Sequence, residues 1–215
     1  MKIRYYGHSC FALISNNGTV VFTDPYTGVG YELPSGLTAD VVTLSHAHFD
    51  HNYTQAVQAQ RVISQTGAYQ IADVSITGKE SFHDEKQGAL RGKNILFTIE
   101  IDGLKICHLG DLGEPYSVKL AEKIEGADIL LLPVGGTYTI DARQAKEYVL
   151  KCNAKVIIPM HYKPSDGRLD IAGAEEFLQL FQEDELIRVP NGETQREKTD
   201  VENARKIIYM ERIRR

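Results

Sequence analysis

Residues 43–52 read TLSHAHFDHN, and His46, His48, Asp50 and His51 fall within six positions of one another, directly after the apolar pair Val41-Val42. The chain has seven histidines, so three of them crowd one short turn. If His46, Ala47 and His48 continue an extended strand, alternate residues share a face, and His46, His48 and Asp50 point the same way. His51 enters as the chain turns. Imidazoles and a carboxylate suit zinc, and also manganese or iron. A purely structural zinc site would be rich in cysteine, whereas Cys10, Cys107 and Cys152 are scattered and form no C-x-x-C.

Four donors cannot saturate two cations, so further ligands must come from elsewhere in the chain. The remaining histidines sit where such ligands are expected, in loops or at strand ends. His83 lies in SFHDEKQG beside Asp84, His108 in CHLGDLGE three residues before Asp111, His161 in IIPMHY after an apolar run, and His8 in YYGHSCF.

With these residues in view, the chain resembles the metallo-β-lactamase fold superfamily. The H-x-H-x-D-H motif stands without substitution as His46, His48, Asp50 and His51, and the resemblance runs from Gly7-His8 through Val189-Pro190-Asn191-Gly192-Glu193. The spacing from His83 to Asp111 and the early Gly-His pair resemble the branch that contains ascorbate-6-phosphate lactonase and N-acyl-phosphatidylethanolamine phospholipase D. The resemblance implies an α/β fold, a four-layer αββα sandwich. It also implies two metal ions, zinc with manganese or iron as alternatives. The first would take His46, His48 and His83, the second Asp50, His51 and His161, with Asp111 bridging and Asp24 buried behind the metal loop. His108 competes with His83 for the first ion. Its place three residues before Asp111 on the same short strand turns its side chain elsewhere in regular geometry.

Two cations about 3.5–4 Å apart lower the pKa of a bridging water toward 7 and polarise a substrate oxygen. The expected activity is therefore a metal-dependent hydrolase whose metal-bridged hydroxide cleaves a small ester, lactone or phosphodiester. Asp50 is expected both to ligate and to orient the attacking water, with His8 and His108 as catalytic or oxyanion-stabilising candidates. Tyr138 and Tyr162 are candidates for substrate contact or simple packing. Gly135-Gly136 is either a close backbone approach or a turn, and residues 26–34 are a candidate flap. A second reading is a di-iron redox protein of the same fold without hydrolysis, since the same donors suit iron.

The elements that must position these residues follow from pattern. Ile3–Tyr6, Phe11–Ile14, Thr19–Thr23 and Val41–Leu44 read as strands, with Asn16-Asn17-Gly18 as hairpin chemistry. Tyr53–Gln60 reads as a short helix, followed by strand-like Arg61–Ser64. Asp73–Ile76, Asn94–Ile101 and Leu104–His108 continue a sheet. Ser117–Glu125, Asp141–Cys152 and Ala172–Phe181 have helical spacing between the strands Ile129–Leu132, Val156–Pro159 and Ile187–Val189. Residues 1–215 form one domain by this reading, with 194–215 as a peripheral hairpin or tail that carries one short strand-like run, Ile207–Met210.

A chain of 215 residues needs no staple, since a domain of this size buries roughly 70% of its unfolded surface. The net charge of -5 disfavours a nucleic-acid partner held by charge alone. Arg205, Lys206, Arg212, Arg214 and Arg215 read as a solvated edge. No apolar stretch approaches the ~20 residues of a membrane span. Three unpaired cysteines point to the cytoplasm, and the partner is a small-molecule substrate. Oligomeric state is not legible.

Overall fold

A computed structural model describes residues 1–201 and 204–214. Its strands are β1 (Lys2–Gly7), β2 (Cys10–Ile14), β3 (Val20–Thr23), β4 (Leu37–Thr43), β5 (Val57–Ile63), β6 (Gly67–Ile71), β7 (Val74–Phe82), β8 (Lys93–Ile101), β9 (Leu104–His108), β10 (Ile129–Pro133), β11 (Val156–Met160), β12 (Leu186–Val189), β13 (Glu193–Gln195) and β14 (Lys206–Met210). They build two mixed sheets, ordered β13-β1-β2-β3-β4-β5 and β12-β14-β11-β10-β9-β8-β7-β6.

The first sheet shows how strand alternation makes layers. Phe11, Leu13, Val21 and Val41 face the large core, which they share with Phe97, Ile99 and Ile106 of the second sheet. Their neighbours Cys10, Ala12, Phe22 and Val42 face the other way, into a smaller cluster closed by Tyr26, Val29 and Tyr31. The 26–34 segment thus covers the outer face with Tyr26, Val29 and Tyr31, and Tyr26 Oη donates to the Tyr6 carbonyl at 2.7 Å.

In the second sheet β10 and β11 are parallel and buried at every position, the pattern of strands covered on both faces. They are joined by the helix α2 (Ala142–Lys151), counted after the single turn α1 (Val118–Ala121) and before α3 (Glu175–Leu178). Asp141 caps α2 by accepting from Arg143 and Gln144 backbone N–H, and Gln144 returns the bond to Asp141 N–H. The helix lays Ala142, Ala145, Tyr148 and Val149 into the large core. The αββα sandwich expected from sequence is present as two mixed sheets with few and short helices. No helix among the described residues is long and apolar enough to cross a membrane.

Three expectations change. Residues 53–60 form one 3-10 turn, Thr54–Ala56, and then β5, because Val57–Ile63 pairs in parallel with β4. That long-range pairing overrides a locally helical spacing. The helices expected over 117–125 and 172–181 shrink to α1 and α3. Finally, the C-terminal segment is not peripheral: β14 lies between β11 and β12, and Ile207, Ile208 and Met210 are buried. Its flanking cations are tied down too. Arg205 donates to the Ala154 and Cys152 carbonyls, Lys206 to the Asp184 carbonyl, and Arg212 pairs with Asp166; Arg215 lies outside the described residues.

Ile207→Ala is expected to destabilise the protein by about 2–5 kcal/mol, the cost of a large-to-small change in a packed core. Denaturant unfolding checks this, since a residue in a solvated tail would cost within about 0.5 kcal/mol.

Candidate metal centre

The centre forms where strands end along one edge of the sandwich. β3 and β4 run parallel and stop together, and the Asp24 N–H donates to the Thr43 carbonyl at 2.9 Å. Asp24 is fully buried at the base of the 44–52 turn. Its carboxylate accepts from Ser45 N–H at 2.8 Å, Ser45 Oγ at 2.5 Å and His51 Nδ1 at 2.8 Å. An ionised carboxylate only accepts, so His51 carries its proton on Nδ1 and turns Nε2 inward. Ser45 Oγ, having given its hydrogen to Asp24, is the acceptor for His46 Nδ1 at 3.0 Å, which aims His46 Nε2 inward as well. One buried carboxylate thus fixes the tautomers of two histidines.

His83 follows β7 and donates from Nδ1 to the Tyr138 carbonyl at 3.0 Å, leaving Nε2 for the centre. Asp111 follows β9, and its N–H donates to Asn94 Oδ1 at 3.0 Å. Asn94 is buried and also donates to Ser81 Oγ and the Leu109 carbonyl. His161 follows β11. Glycines make these approaches possible: a β-carbon at Gly113 would collide with the His83 carbonyl, and one at Gly135 with the His161 carbonyl. Gly135 therefore serves a close backbone approach.

All four inward imidazoles meet Asp111. His51 Nε2 lies 3.1 Å from Oδ1, while His83 Nε2 lies 3.1 Å, His161 Nε2 3.2 Å and His46 Nε2 3.8 Å from Oδ2. The donors sort into overlapping groups, each with ligand atoms within 4.8 Å of one another: His46, His48 and His83; His46, His51 and Asp111; and His8, Asp50, His51 and His161. His8 Nε2 lies 3.2 Å from both Asp50 Oδ2 and His51 Nε2.

The donor chemistry fits cations. Close as they stand, His46 Nε2, both His161 ring nitrogens and Asp111 Oδ1 are buried without a hydrogen bond among the described residues. Such orphans are rare in a native interior unless they serve an ion or water. Asp24, Asp50 and Asp111 pair with histidines and with no lysine or arginine among the described residues. The field is accordingly hungry for positive charge. Burial would raise Asp111, yet His161 and His51 hold its carboxyl well below the usual range. Burial would lower His51, yet Asp111 and Asp24 push it well above the usual imidazole value. His46 and His8, by contrast, are lowered chiefly by burial, to about 3 and about 4, and stay neutral.

The backbone at His8 is held from three sides. Its N–H donates to Tyr31 Oη at 3.1 Å, and its carbonyl accepts from Tyr5 Oη at 3.1 Å and His161 N–H at 2.8 Å. His8 and His161 both have φ of 52°, and Asp24 has φ of 39°, a left-handed conformation costly for residues with a side chain.

Of the sequence candidates, His8, His46, His48, Asp50, His51, His83, Asp111 and His161 come together. His108 does not. Its Nε2 donates to the Ser9 carbonyl at 2.8 Å and its Nδ1 accepts from Gly110 N–H, so both nitrogens serve the backbone and the catalytic expectation for it is corrected. Tyr162 is also structural, donating to the Met210 carbonyl. Tyr138 instead lines a cavity of ≈ 380 Å³ beside the centre, with His48, Phe49, Asp50, His83, Arg91, Asp111 and Leu169. Sequence reasoning missed Asn94, Arg91 and the Tyr5/Tyr31 clamp. Asn94 reads only as the polar start of an apolar strand, and nothing local marks its reach to Asp111.

A family model described as a beta-lactamase superfamily domain matches residues 2–161. A solved structure from Thermotoga maritima, described as a Zn-dependent hydrolase of the metallo-β-lactamase superfamily, is 41% identical, covers 97% of both chains and superposes with a TM-score of 0.80. A metal-dependent hydrolase of Methanospirillum hungatei is 28% identical over 193 residues, 77% of this chain and 84% of the relative. A metallo-hydrolase structure from Ignicoccus hospitalis, 22% identical with a TM-score of 0.63 over 83% of this chain and 89% of that one, shares the fold.

Asp24→Asn leaves the volume unchanged but presents His51 and Ser45 with an amide. Zinc affinity, measured by chelator competition, is expected to fall about 10–100-fold. Unchanged affinity would show that Asp24 does not orient the donors.

Proposed function

The chain belongs to the metallo-β-lactamase superfamily, and from that premise we propose that it is a metal-dependent hydrolase acting on a small ester, lactone or phosphodiester. The observation that carries this reading is the cluster of unpaired, inward-facing lone pairs around Asp111. His46, His48 and His83 would hold one cation and Asp50, His51 and His161 a second, with Asp111 between them. Zinc suits this donor set, and manganese or iron is compatible with it. Bound there, the cations supply Lewis acidity at the substrate oxygen and make water a usable nucleophile near neutral pH.

The chain's own residues do the rest. Asp24 and Ser45 hold His51 and His46 in the tautomers that face the centre. His8, neutral, donates from Nε2 to Asp50 Oδ2 and so fixes the carboxylate that would orient the attacking water. Tyr5, Tyr31 and His161 hold His8 against its strained backbone. Phe49, Leu169 and Tyr138 give the cavity an apolar lining, and its size fits a small molecule. Buried, unpaired Cys10 and Cys107 support a reducing compartment, and we assign the protein to the cytoplasm.

His48→Ala and Asp111→Asn are each expected to lower bound metal and to reduce hydrolysis of model esters or phosphodiesters at least ~100-fold, with an unchanged circular dichroism spectrum. Full metal content and activity in both would contradict the ligand assignment. Native protein carrying iron with a visible absorption band and no hydrolysis would instead favour the di-iron redox reading. Zinc at about 100 times its Kd is expected to stabilise the fold by roughly 2.7 kcal/mol, which removal by a chelator would reverse in thermal melts.

A further inference from the structure

The loop from His83 to Gly92 is organised by Asp84. This side chain is buried, and its two oxygens accept four backbone N–H bonds, from Lys86 and Gly88 on Oδ1 and from Leu90 and Arg91 on Oδ2, at 2.8–3.0 Å. These bonds tie the loop together from within, with a candidate metal ligand at its start and Arg91 near its end. Tyr138 is held to the same unit, since its carbonyl accepts from His83 Nδ1.

Arg91 lines the cavity beside the centre. Its guanidinium makes no ion pair among the described residues, and its Cζ lies 5.6 Å from the Tyr138 ring centroid. This is a cation–π contact, which uses none of the guanidinium N–H groups, and those groups match a planar pair of anionic oxygens. The same cavity has an apolar share of its lining, Phe49, which is 56% exposed, and Leu169. An arginine without an ion pair among the described residues and an exposed apolar side chain thus line one cavity, in a chain of net charge -5.

We propose that Arg91 binds an anionic group of the substrate, a carboxylate or phosphoryl group, while Phe49 and Leu169 take an adjoining apolar part. The substrate is thus an amphipathic monoanion or dianion rather than a neutral ester. That the occupant is a substrate rests on the hydrolase reading; the anion site itself does not.

The test uses the full-length, zinc-loaded protein with benzoate, phenylphosphonate and uncharged benzyl alcohol as probes, titrated by calorimetry or NMR into wild type, Arg91→Gln and Arg91→Lys. Arg91→Gln is expected to weaken both anions, or one of them, about tenfold or more relative to benzyl alcohol, as loss of a charge-assisted hydrogen bond does. Arg91→Lys should recover part of the loss. Which anion suffers more tells carboxylate from phosphoryl. The proposal is overturned if wild type binds neither anion, or if Arg91→Gln changes neither affinity. It is equally overturned if that variant only tightens zinc, which would make Arg91 a charge balance for Asp50 and Asp111. Hydrolysis of p-nitrophenyl acetate and bis(p-nitrophenyl) phosphate by the same samples separates the two claims. Turnover with unaltered anion binding in Arg91→Gln leaves the hydrolase standing and removes the anion site; lost anion binding with no turnover in wild type does the reverse.

Discussion

A single buried carboxylate, Asp111, organises this molecule. Imidazoles from three separate stretches of chain, at residues 46 and 51, 83, and 161, stand within 3.8 Å of it. Burying an unpaired carboxylate costs several kcal/mol, and four neutral imidazoles presenting lone pairs to it would make matters worse. The arrangement is stable only if positive charge sits among them, whether as protons or as cations. The raised His51 and the lowered Asp111 express that demand.

The fold meets this demand by ending β3, β4, β7, β9 and β11 along the same edge, so that loops of a few residues carry every donor. Rigidity comes from behind. Asp24 holds the 44–52 turn, Asn94 holds Asp111, Asp84 holds the 83–92 loop, and two tyrosine hydroxyls with His161 hold His8. Each holder is a buried polar group satisfied by backbone or by an inward ligand candidate, the combination that positions side chains to fractions of an ångström. Left-handed backbone at His8, Asp24 and His161 is the local cost.

Much of this was legible in sequence, for physical reasons. The 46–51 cluster is dense enough in donors to stand out, Asn16-Asn17-Gly18 can hardly be anything but a turn, and Asp141 announces the start of α2 as an N-cap. The parts that were not legible depend on contacts distant in sequence. β5 became a strand because β4 needed a partner, and β14 entered the second sheet because a parallel slot lay open between β11 and β12. The orientation of His108 was half legible: its distance from Asp111 turned it away, but its bond to the Ser9 carbonyl needs the first sheet to be in place. Asn94 carries no local mark, because its bonds to Ser81, Leu109 and Asp111 exist only once β7, β8 and β9 are assembled.

The most direct check is anomalous scattering from crystals of the zinc-loaded protein, collected at the zinc edge. Two peaks are expected on either side of the Asp111 carboxylate, one within ligand distance of His46, His48 and His83, the other within ligand distance of Asp50, His51 and His161. Zinc bound stoichiometrically at other residues, with no peak beside Asp111, would contradict the account.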